Sequence, residues 1–268
     1  MPRPRRALAA AIALGALAPA CQLLVGVGDP LPSAVGDAGP TGTSSGSSGT
    51  PAPDDAYARA VLADGPVLYL RFSEASGSRV ADLSGNGNEL FLSGAFQRAR
   101  PGLVAGADTS VGLGNGAQLV IPARFDFGLD APFTYELWVR LDKRGEVLSN
   151  LEGSPPNLLG TNLYLSDTRP EIGFERWSGT LVRYAHQIGP LTPGPRGAFH
   201  LVVVNGPDRP VVFVNGVREA GGKNAGTSLR AAALVAGNAP GDYDEIAIYD
   251  KALTDERIAA HYGIGRGD

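Results

Sequence analysis

Short apolar runs closed by turn residues make up most of the chain after residue 56. Within residues 133–141, apolar side chains alternate with the polar or mixed side chains of Thr134, Glu136, Trp138 and Arg140. Successive side chains of a strand point to opposite sides, so this alternation predicts a strand with one core face and one half-polar face.

The same pattern of apolar runs closed by turn residues predicts further strands. The apolar runs lie at residues 67–72, 117–121, 199–204, 211–214 and 245–249. Between them stand segments that tolerate positive φ, among them residues 84–88, Asn205-Gly206 and Asn215-Gly216. The 37 glycines and 21 prolines suit short strands joined by turns. The predicted fold class is therefore all-β.

A short helix is predicted at the C-terminal end. Thr254 is a capping residue, and Asp255 and Glu256 stand in the first turn, where negative charge is favoured. Ile258 and Tyr262 follow one turn apart on one face. This helix is predicted to close the β structure rather than to form a second layer.

The N-terminal segment has the features of an export signal. Arg3, Arg5 and Arg6 precede the uncharged residues 7–20, and Cys21 follows as the only cysteine of the chain. A single thiol excludes an internal disulfide. The segment resembles the lipobox of bacterial lipoproteins, although Ala18 stands where that motif usually has Leu.

This resemblance predicts that Cys21 carries the lipid and becomes the mature N-terminus. The protein would then be exported and anchored by its lipid in the bacterial cell envelope, with the outer membrane as the expected location. Two alternatives are cleavage at the same bond without lipidation, and an uncleaved anchor over residues 7–28. In each case the folded part lies outside the cytoplasm.

Composition divides the chain into three parts. Residues 1–20 are the predicted signal peptide, and residues 21–55 are a lipidated N-terminus and a Gly/Ser/Thr/Pro linker with almost no large apolar side chain. Such a linker cannot offset the entropy of ordering its backbone, so it is predicted to be a disordered tether. Residues 56–265 form the predicted folded domain.

Several segments, in order, resemble the laminin-G-like domain of the concanavalin A-like lectin/glucanase superfamily. Residues 68–74 and 80–88 resemble its opening strand and Asp-x-Ser-Gly-Asn-Gly turn, residues 133–140 its Phe-Thr-x-x-x-Trp-Val strand, and residues 200–204 and 212–216 its His strand and Asn-Gly hairpin. Residues 244–258 resemble its Asp-Glu-Val-x-Ile-Tyr ending. The resemblance covers residues 57–262 and implies a two-sheet antiparallel jelly-roll sandwich with a short C-terminal helix.

Charge and motif content argue against several functions. The net charge is −4 without a basic cluster, so nucleic acid is not an expected partner. Asp242 and Asp244 are the best carboxylate pair for glycoside hydrolysis, but the Glu-x-Asp-x-x-Glu array of the glucanase relatives is missing. The histidines, with His200 read as a structural one, accompany no nucleophile motif and no zinc-ligand spacing. The chain is therefore predicted not to be an enzyme.

Calcium is the metal for which the sequence offers ligands. Asp82 and the turn with Asn86 and Asn88 provide carboxylate and amide oxygens, which hard cations prefer. The resemblance adds Asp244 of the last strand as a further ligand and predicts a structural Ca²⁺ between turn and strand. The alternative is an Asx-type turn that is stabilised by its own hydrogen bonds.

The predicted function is a non-catalytic binding module for a glycan or an extracellular protein. The candidate contacts are aromatic residues interleaved with polar ones: Trp138, Trp177, Tyr184 and His186. Two alternatives stay open, a degenerate glycoside hydrolase and a structural envelope protein without a small ligand.

Overall fold

A computed structural model describes residues 55–106, 109–128, 131–154, 156–166, 171–188, 191–206, 209–221, 223–224 and 232–268. Within these ranges, the side chains of residues 180–184, 186–188, 220–221 and 223–224 are not described. The predictions for the signal peptide, for Cys21 and for the linker therefore lie outside the described residues.

The described residues form strands β1 to β16 and helices α1 and α2, with bounds as follows. In chain order they are α1 (Ala56–Ala63), β1 (Leu68–Leu70), β2 (Arg79–Ala81), β3 (Glu89–Ser93), β4 (Phe96–Pro101), β5 (Thr109–Leu113), β6 (Gln118–Ile121), β7 (Phe133–Leu141), β8 (Gly145–Ser149), β9 (Leu158–Leu165), β10 (Glu171–Ile188), β11 (Phe199–Asn205), β12 (Pro210–Val214), β13 (Val217–Gly221), β14 (Lys223–Asn224), β15 (Leu234–Ala236), β16 (Gly241–Tyr249) and α2 (Asp255–Arg266). Short 3₁₀ turns occur at Ala123–Phe125 and Pro195–Gly197.

The strands pair into two antiparallel sheets. The first sheet has the order β13-β12-β11-β7-β16-β5-β4, and β1 pairs with the far end of β16. The second sheet has the order β14-β10-β9-β8-β15-β6-β3-β2. Each apolar run predicted as a strand lies in one of them, so the two-sheet antiparallel sandwich is confirmed.

The main core lies between the sheets. On β7 it takes Phe133, Tyr135, Leu137 and Val139, the apolar set of the predicted alternation. Strands of the second sheet contribute their own alternate residues, including Leu163 and Leu165 of β9 and Ile172 and Phe174 of β10. The period-2 pattern of the sequence therefore fixes which face of each strand the core covers.

The second face of β7 carries the predicted half-polar set of side chains, but it is buried except at Arg140. Thr134, Glu136 and Trp138 are all fully buried, because a second apolar cluster covers the outer face of the first sheet. Tyr57 of α1 and Ile258 of α2 belong to this cluster.

Two short helices supply that cover. Helix α2 was predicted, and the Thr254 side chain accepts a hydrogen bond from the Arg257 backbone N–H as expected of a cap. Helix α1 was not predicted; Asp55 caps it through the Ala58 N–H. No described helix is long and apolar enough to cross a membrane.

Candidate ligand-binding cleft

An open cleft lies on the outer face of the second sheet, across β8, β9 and β10. Leu163 and Phe174 point into the core, so the residues that alternate with them point away from it. The cleft has a volume of about 300 Å³. It is lined by Gly145, Glu146, Asn162, Tyr164, Leu165, Ser166 and Glu175.

The ring of Tyr164 lies across the backbone of Gly173, its partner on the neighbouring strand. A Cβ atom at Gly173 would stand 2.4 Å from Tyr164 Cζ, so the absence of a side chain makes room for the ring. The Tyr164 hydroxyl lies within donating distance of Glu171 Oε1 at 3.3 Å and Glu175 Oε1 at 3.2 Å. Burial and these two carboxylates raise the pKa of Tyr164 well above its usual range, so the phenol keeps its proton.

Trp177 lies on the same face of β10, two residues after Glu175. It is half-buried and stands opposite Gly160 of β9. Its indole Nε1–H donates to Glu175 Oε2 at 2.9 Å. Glu175 therefore accepts from Trp177 with one oxygen and from Tyr164 with the other, which fixes both rings before any ligand arrives.

Asn162 occupies the floor of the cleft. It is opposite Glu175 on one side and Ser149 on the other, and 6% of its surface is exposed. Its side-chain oxygen Oδ1 is buried and has no hydrogen-bond partner among the described residues. A buried acceptor without a partner costs about 1–3 kcal/mol, so this atom is an unsatisfied acceptor at the bottom of an open cleft.

A different polar cluster lies beneath the two helices. Glu136 of β7 is fully buried and accepts from Tyr57 at 3.0 Å and Tyr249 at 3.1 Å. Its oxygens also stand 2.9 Å from His200 Nε2 and 3.1 Å from His261 Nδ1. With no described route to solvent, this cluster joins the helices to the sheet rather than forming a binding site.

The charges of that cluster support one another. Burial opposes ionisation of Glu136, but the His261 charge and the two histidine hydrogen bonds hold its pKa far below the usual range. His261 also contacts Asp64 Oδ2 through Nε2 at 3.0 Å. Burial alone would lower the pKa of His261, but the charges of Glu136 and Asp64 outweigh burial and raise it.

The structure brings together only part of the residue set predicted to contact a ligand. Trp177 stands beside the cleft. Trp138 does not: it is fully buried in the outer-face cluster, where its Nε1–H donates to Tyr57 Oη at 2.8 Å, so its assignment to a ligand surface is wrong. Tyr184 and His186 lie on β10, but their side chains are outside the described residues.

Sequence analysis missed Asn162, Tyr164 and Glu175. The signal was available in residues 162–165 and 171–175, where polar or small residues alternate with apolar ones. The glycines at 160 and 173 weaken that signal. In the folded sheet these glycines stand opposite Trp177 and Tyr164, and Gly173 makes room for the Tyr164 ring.

The turn predicted to hold calcium is stabilised by its own hydrogen bonds. Asp82 Oδ1 accepts from the backbone N–H of Tyr69 at 3.0 Å and of Ser84 at 2.9 Å. Its Oδ2 accepts from the Asn88 backbone at 3.2 Å and from the Asn88 side chain at 2.6 Å. Burial alone would raise the pKa of Asp82, but these hydrogen bonds outweigh burial and hold the pKa below its usual value.

Three side chains of the turn also converge on one backbone oxygen. Val67 O lies 3.3 Å from Ser84 Oγ and 3.2 Å from the amide nitrogens of Asn86 and Asn88. A cation could bind there if both amides rotated to present oxygen. Arg124 opposes this, because it donates to the Asn88 side-chain oxygen and holds that amide in the opposite orientation.

Asp244 does not belong to this cluster. Its Oδ2 accepts from the Leu103 backbone N–H at 2.9 Å, and it is fully buried. Among the described residues no group of three or more acidic, histidine or cysteine side chains is arranged to hold a metal. The residues as placed do not fit a calcium ion shared by Asp82 and Asp244, and calcium at the turn alone stays a prediction.

The carboxylate pair considered for hydrolysis is engaged in ion pairs and backbone contacts. Asp242 accepts from Arg100 Nε at 3.0 Å and from Arg140 Nε at 3.1 Å. Asp244 is buried under the outer-face cluster, as described above. Neither carboxylate is presented to a substrate.

A family model described as the concanavalin A-like lectin/glucanases superfamily, Laminin_G_3, matches residues 113–259. The chain belongs to this superfamily. The laminin-G-like resemblance of the sequence is thereby confirmed. No curated protein matches this laminin-G-type chain.

Solved structures of bacterial toxins share the fold. The binding domain of Paraclostridial Mosquitocidal Protein 1 aligns with a TM-score of 0.56 and 16% identity, covering 75% of this chain and 52% of that one. Botulinum neurotoxin type C, which depends on interaction with two ganglioside molecules to enter cells, aligns with a TM-score of 0.57 and 13% identity, covering 77% and 52%. The binding domain of botulinum neurotoxin DC, in complex with rat synaptotagmin II, gives 0.57 and 12%, covering 77% and 53%.

The laminin-G-type chain spans about half the length of these solved chains. At such low identity, the likeness shows the jelly-roll fold alone. A fold of this kind does not determine what its members bind, so function has to be argued from the cleft.

Proposed function

We propose that the chain is a non-catalytic glycan-binding module that acts outside the cytoplasm. The observation that carries the proposal is the cleft of β8–β10, in which Glu175 fixes Tyr164 and Trp177 beside the unsatisfied Asn162 oxygen. Aromatic rings offer large apolar faces for stacking, and a few placed polar groups give orientation. A sugar ring has the matching surface, with C–H groups on its faces and hydroxyls around its edge.

Similar folds in binding proteins support the proposal. The solved neighbours include the binding domain of a mosquitocidal protein, and a neurotoxin that interacts with gangliosides. The synaptotagmin complex of another neurotoxin favours a protein ligand instead. A cleft of about 300 Å³ with fixed aromatic rings suits a glycan better than the broad surface of a protein–protein interface.

The absence of catalysis is part of the proposal. Glycoside hydrolysis requires one carboxylic acid that donates a proton and a second carboxylate about 5–9.5 Å away. Glu175 uses both oxygens to hold the aromatic rings, and Asp242 is held between two arginines. These carboxylates are engaged with the protein's own groups, which argues against a degenerate hydrolase that uses them.

The membrane anchor is a separate proposal that rests on the sequence. Cys21 would carry the lipid, and residues 21–55 would tether the module to the cell envelope. Native protein and a Cys21→Ser variant should be partitioned between detergent and water. We expect the native chain in the detergent phase and the variant in water, whereas equal partition would disprove lipidation.

A glycan array tests the binding function. The probe is the exported chain carrying Cys21→Ser, which keeps every folded residue. We expect binding to a defined set of glycans and loss of that binding in Trp177→Ala. Phe91→Ala is the matched control, since Phe91 is 53% exposed on β3 of the same sheet but lies outside the cleft.

Binding that is lost equally in both variants, or that is absent for every glycan, would overturn the glycan proposal and favour a structural envelope protein. Release of reducing ends from a polysaccharide by the same chain would overturn the non-catalytic part and restore the hydrolase alternative.

A further inference from the structure

The cleft is rich in hydrogen-bond acceptors. Glu146 and Glu175 are carboxylates, and an ionised carboxylate accepts hydrogen bonds but donates none. The side-chain oxygen of Asn162 is a third acceptor. The Tyr164 hydroxyl and the Trp177 indole are donors, but both point to carboxylates of the site itself.

Among the described residues that line the cleft, Asn162 is the one with a buried side-chain oxygen that has no hydrogen-bond partner. Its oxygen is buried within the cleft floor, and its strand partners Ser149 and Glu175 supply no described hydrogen bond to it. An apolar side chain of similar size would remove the cost of that buried acceptor. The polar residue is explained if a ligand supplies the missing donor.

Glu146 defines the rim of the same cleft. It is half-buried, stands opposite Tyr164 on β8, and accepts from Asn238 Nδ2 at 3.1 Å. None of the described residues that line the cleft is cationic. A ligand acid group placed beside Glu146 would meet a charge of the same sign, which is unfavourable.

We propose that the cleft selects neutral, hydroxyl-rich saccharides over sialylated or sulfated ones, with the Asn162 oxygen as the specificity-determining acceptor. This inference rests on the proposed glycan-binding function and names the ligand class of that site. A sugar hydroxyl donates the hydrogen bond that Asn162 lacks. A sulfate or carboxylate offers acceptors only and is repelled by Glu146.

The test uses an array in which each neutral oligosaccharide is paired with its sialylated or sulfated derivative, probed with the Cys21→Ser chain. Hits are then titrated by calorimetry. We expect each acidic derivative to bind at least tenfold more weakly than its neutral parent when the added acid group falls within the cleft contacts. Glu146→Gln keeps the shape of the rim without its charge, so it should reduce the difference in affinity between a neutral glycan and its acidic derivative.

Asn162→Leu separates recognition from folding. We expect it to weaken binding of the neutral glycan at least tenfold while its melting temperature equals or exceeds that of the parent, because the buried unsatisfied oxygen is gone. Phe91→Ala again serves as the control, with parent-like binding and an unchanged neutral-to-acidic ratio.

The outcomes are distinguishable. Acidic derivatives that bind as well as their neutral parents, or an Asn162→Leu chain that binds like the parent, would overturn the inference while the glycan-binding function stands. Failure of every glycan on the array to bind would overturn the proposed function, and the inference with it.

Discussion

Glu136 and Glu175 both accept hydrogen bonds from aromatic side chains, yet they lie in contrasting surroundings. Glu136 is fully buried under α1 and α2, where two tyrosines and two histidines surround its oxygens. Glu175 lines a cleft that opens to solvent, where it orients Tyr164 and Trp177. The same chemistry therefore holds the fold together in one region and arranges a surface for a ligand in the other.

The difference lies in where an unsatisfied group stands, since His200 Nδ1 of the Glu136 cluster and Asn162 Oδ1 of the cleft are both buried without a described hydrogen-bond partner. Glu136 lies on β7 and its partners come from β11, β16 and both helices, so the cluster ties five elements together. In the cleft, the unsatisfied atom belongs to Asn162, a residue that lines the open space, whereas His200 is fully buried. A protein tolerates that cost where a partner from outside can remove it.

The largest expected effect comes from breaking the buried cluster. Glu136→Ala leaves the buried His261 ring and the Tyr57 and Tyr249 hydroxyls without their shared acceptor, and truncating one member of a buried pair costs about 3–5 kcal/mol of unfolding free energy. Urea denaturation measures it. Glu136→Gln keeps the shape of the side chain, so it should lose less unfolding free energy than Glu136→Ala and should still fold.

The matched control is Glu146→Gln on the cleft rim, for which we expect a change within about 0.5 kcal/mol. Equal losses of unfolding free energy in Glu136→Gln and Glu146→Gln would contradict the distinction between a structural cluster and a binding surface.

The second effect concerns the cleft itself. In Gly173→Ala the new methyl group would collide with the Tyr164 ring, so the ring must move. Overpacking of this kind costs about 1–3 kcal/mol, and the displaced ring should also abolish glycan binding. The control is Gly263→Ala in α2, which has open space around it and should stabilise the helix by up to about 1 kcal/mol. Parent-like binding by Gly173→Ala would show that the ring position is not required.

The third effect is a pH dependence of the buried cluster. The pKa of His261 is raised in the folded state, so its contribution is complete below the ordinary histidine pKa of about 6.5. That contribution is lost as the pH rises through the folded pKa. The pKa of Glu136 is lowered, so its contribution is complete above about pH 4.5 and is lost in acid.

Stability should therefore be greatest between about pH 4.5 and 6.5 and fall on the alkaline side. Urea midpoints between pH 6 and 9 measure this fall, and His261→Gln should flatten it. An alkaline fall of the same size in His261→Gln would assign the effect to other groups.

The smallest expected effect is that of calcium at the Asp82–Asn88 turn. Calcium at a concentration equal to its dissociation constant adds about 0.4 kcal/mol to the free energy of unfolding, and this increment grows with the calcium concentration. Melting curves with calcium and with chelator should differ in the parent, and Asp82→Asn should remove the difference. Arg124→Ala frees the Asn88 amide, so it should enlarge the calcium effect.

Asp244→Asn is the control for the location of that site. It should destabilise the domain, because an amide oxygen accepts from the Leu103 N–H more weakly than a carboxylate, but leave the calcium increment unchanged. An increment that disappears in Asp244→Asn would restore the shared site, and equal melting of the parent with calcium and chelator would remove the ion altogether.

Sequence alone determined the sandwich and its main core. The alternation in residues 133–141 assigns Phe133, Tyr135, Leu137 and Val139 to the core, and Thr254 marks the start of α2. These are local signals, since side-chain direction follows the strand period and a cap acts within one helical turn. The family was identified from the same segments because their order along the chain is itself a sequence property.

Only the tertiary structure decided the roles of the polar residues. Whether Trp138 is exposed depends on α1 and α2, which lie about 80 and 120 residues away along the chain and cover that face. Glu136 and Glu175 look alike in the sequence, but one acquires two histidines and burial while the other acquires a cleft. Asn162 becomes a candidate ligand contact because β8 and β10 flank it without satisfying its oxygen. Such roles arise from contacts between distant segments, and hydrogen-bond satisfaction and burial are properties of those contacts rather than of any single strand.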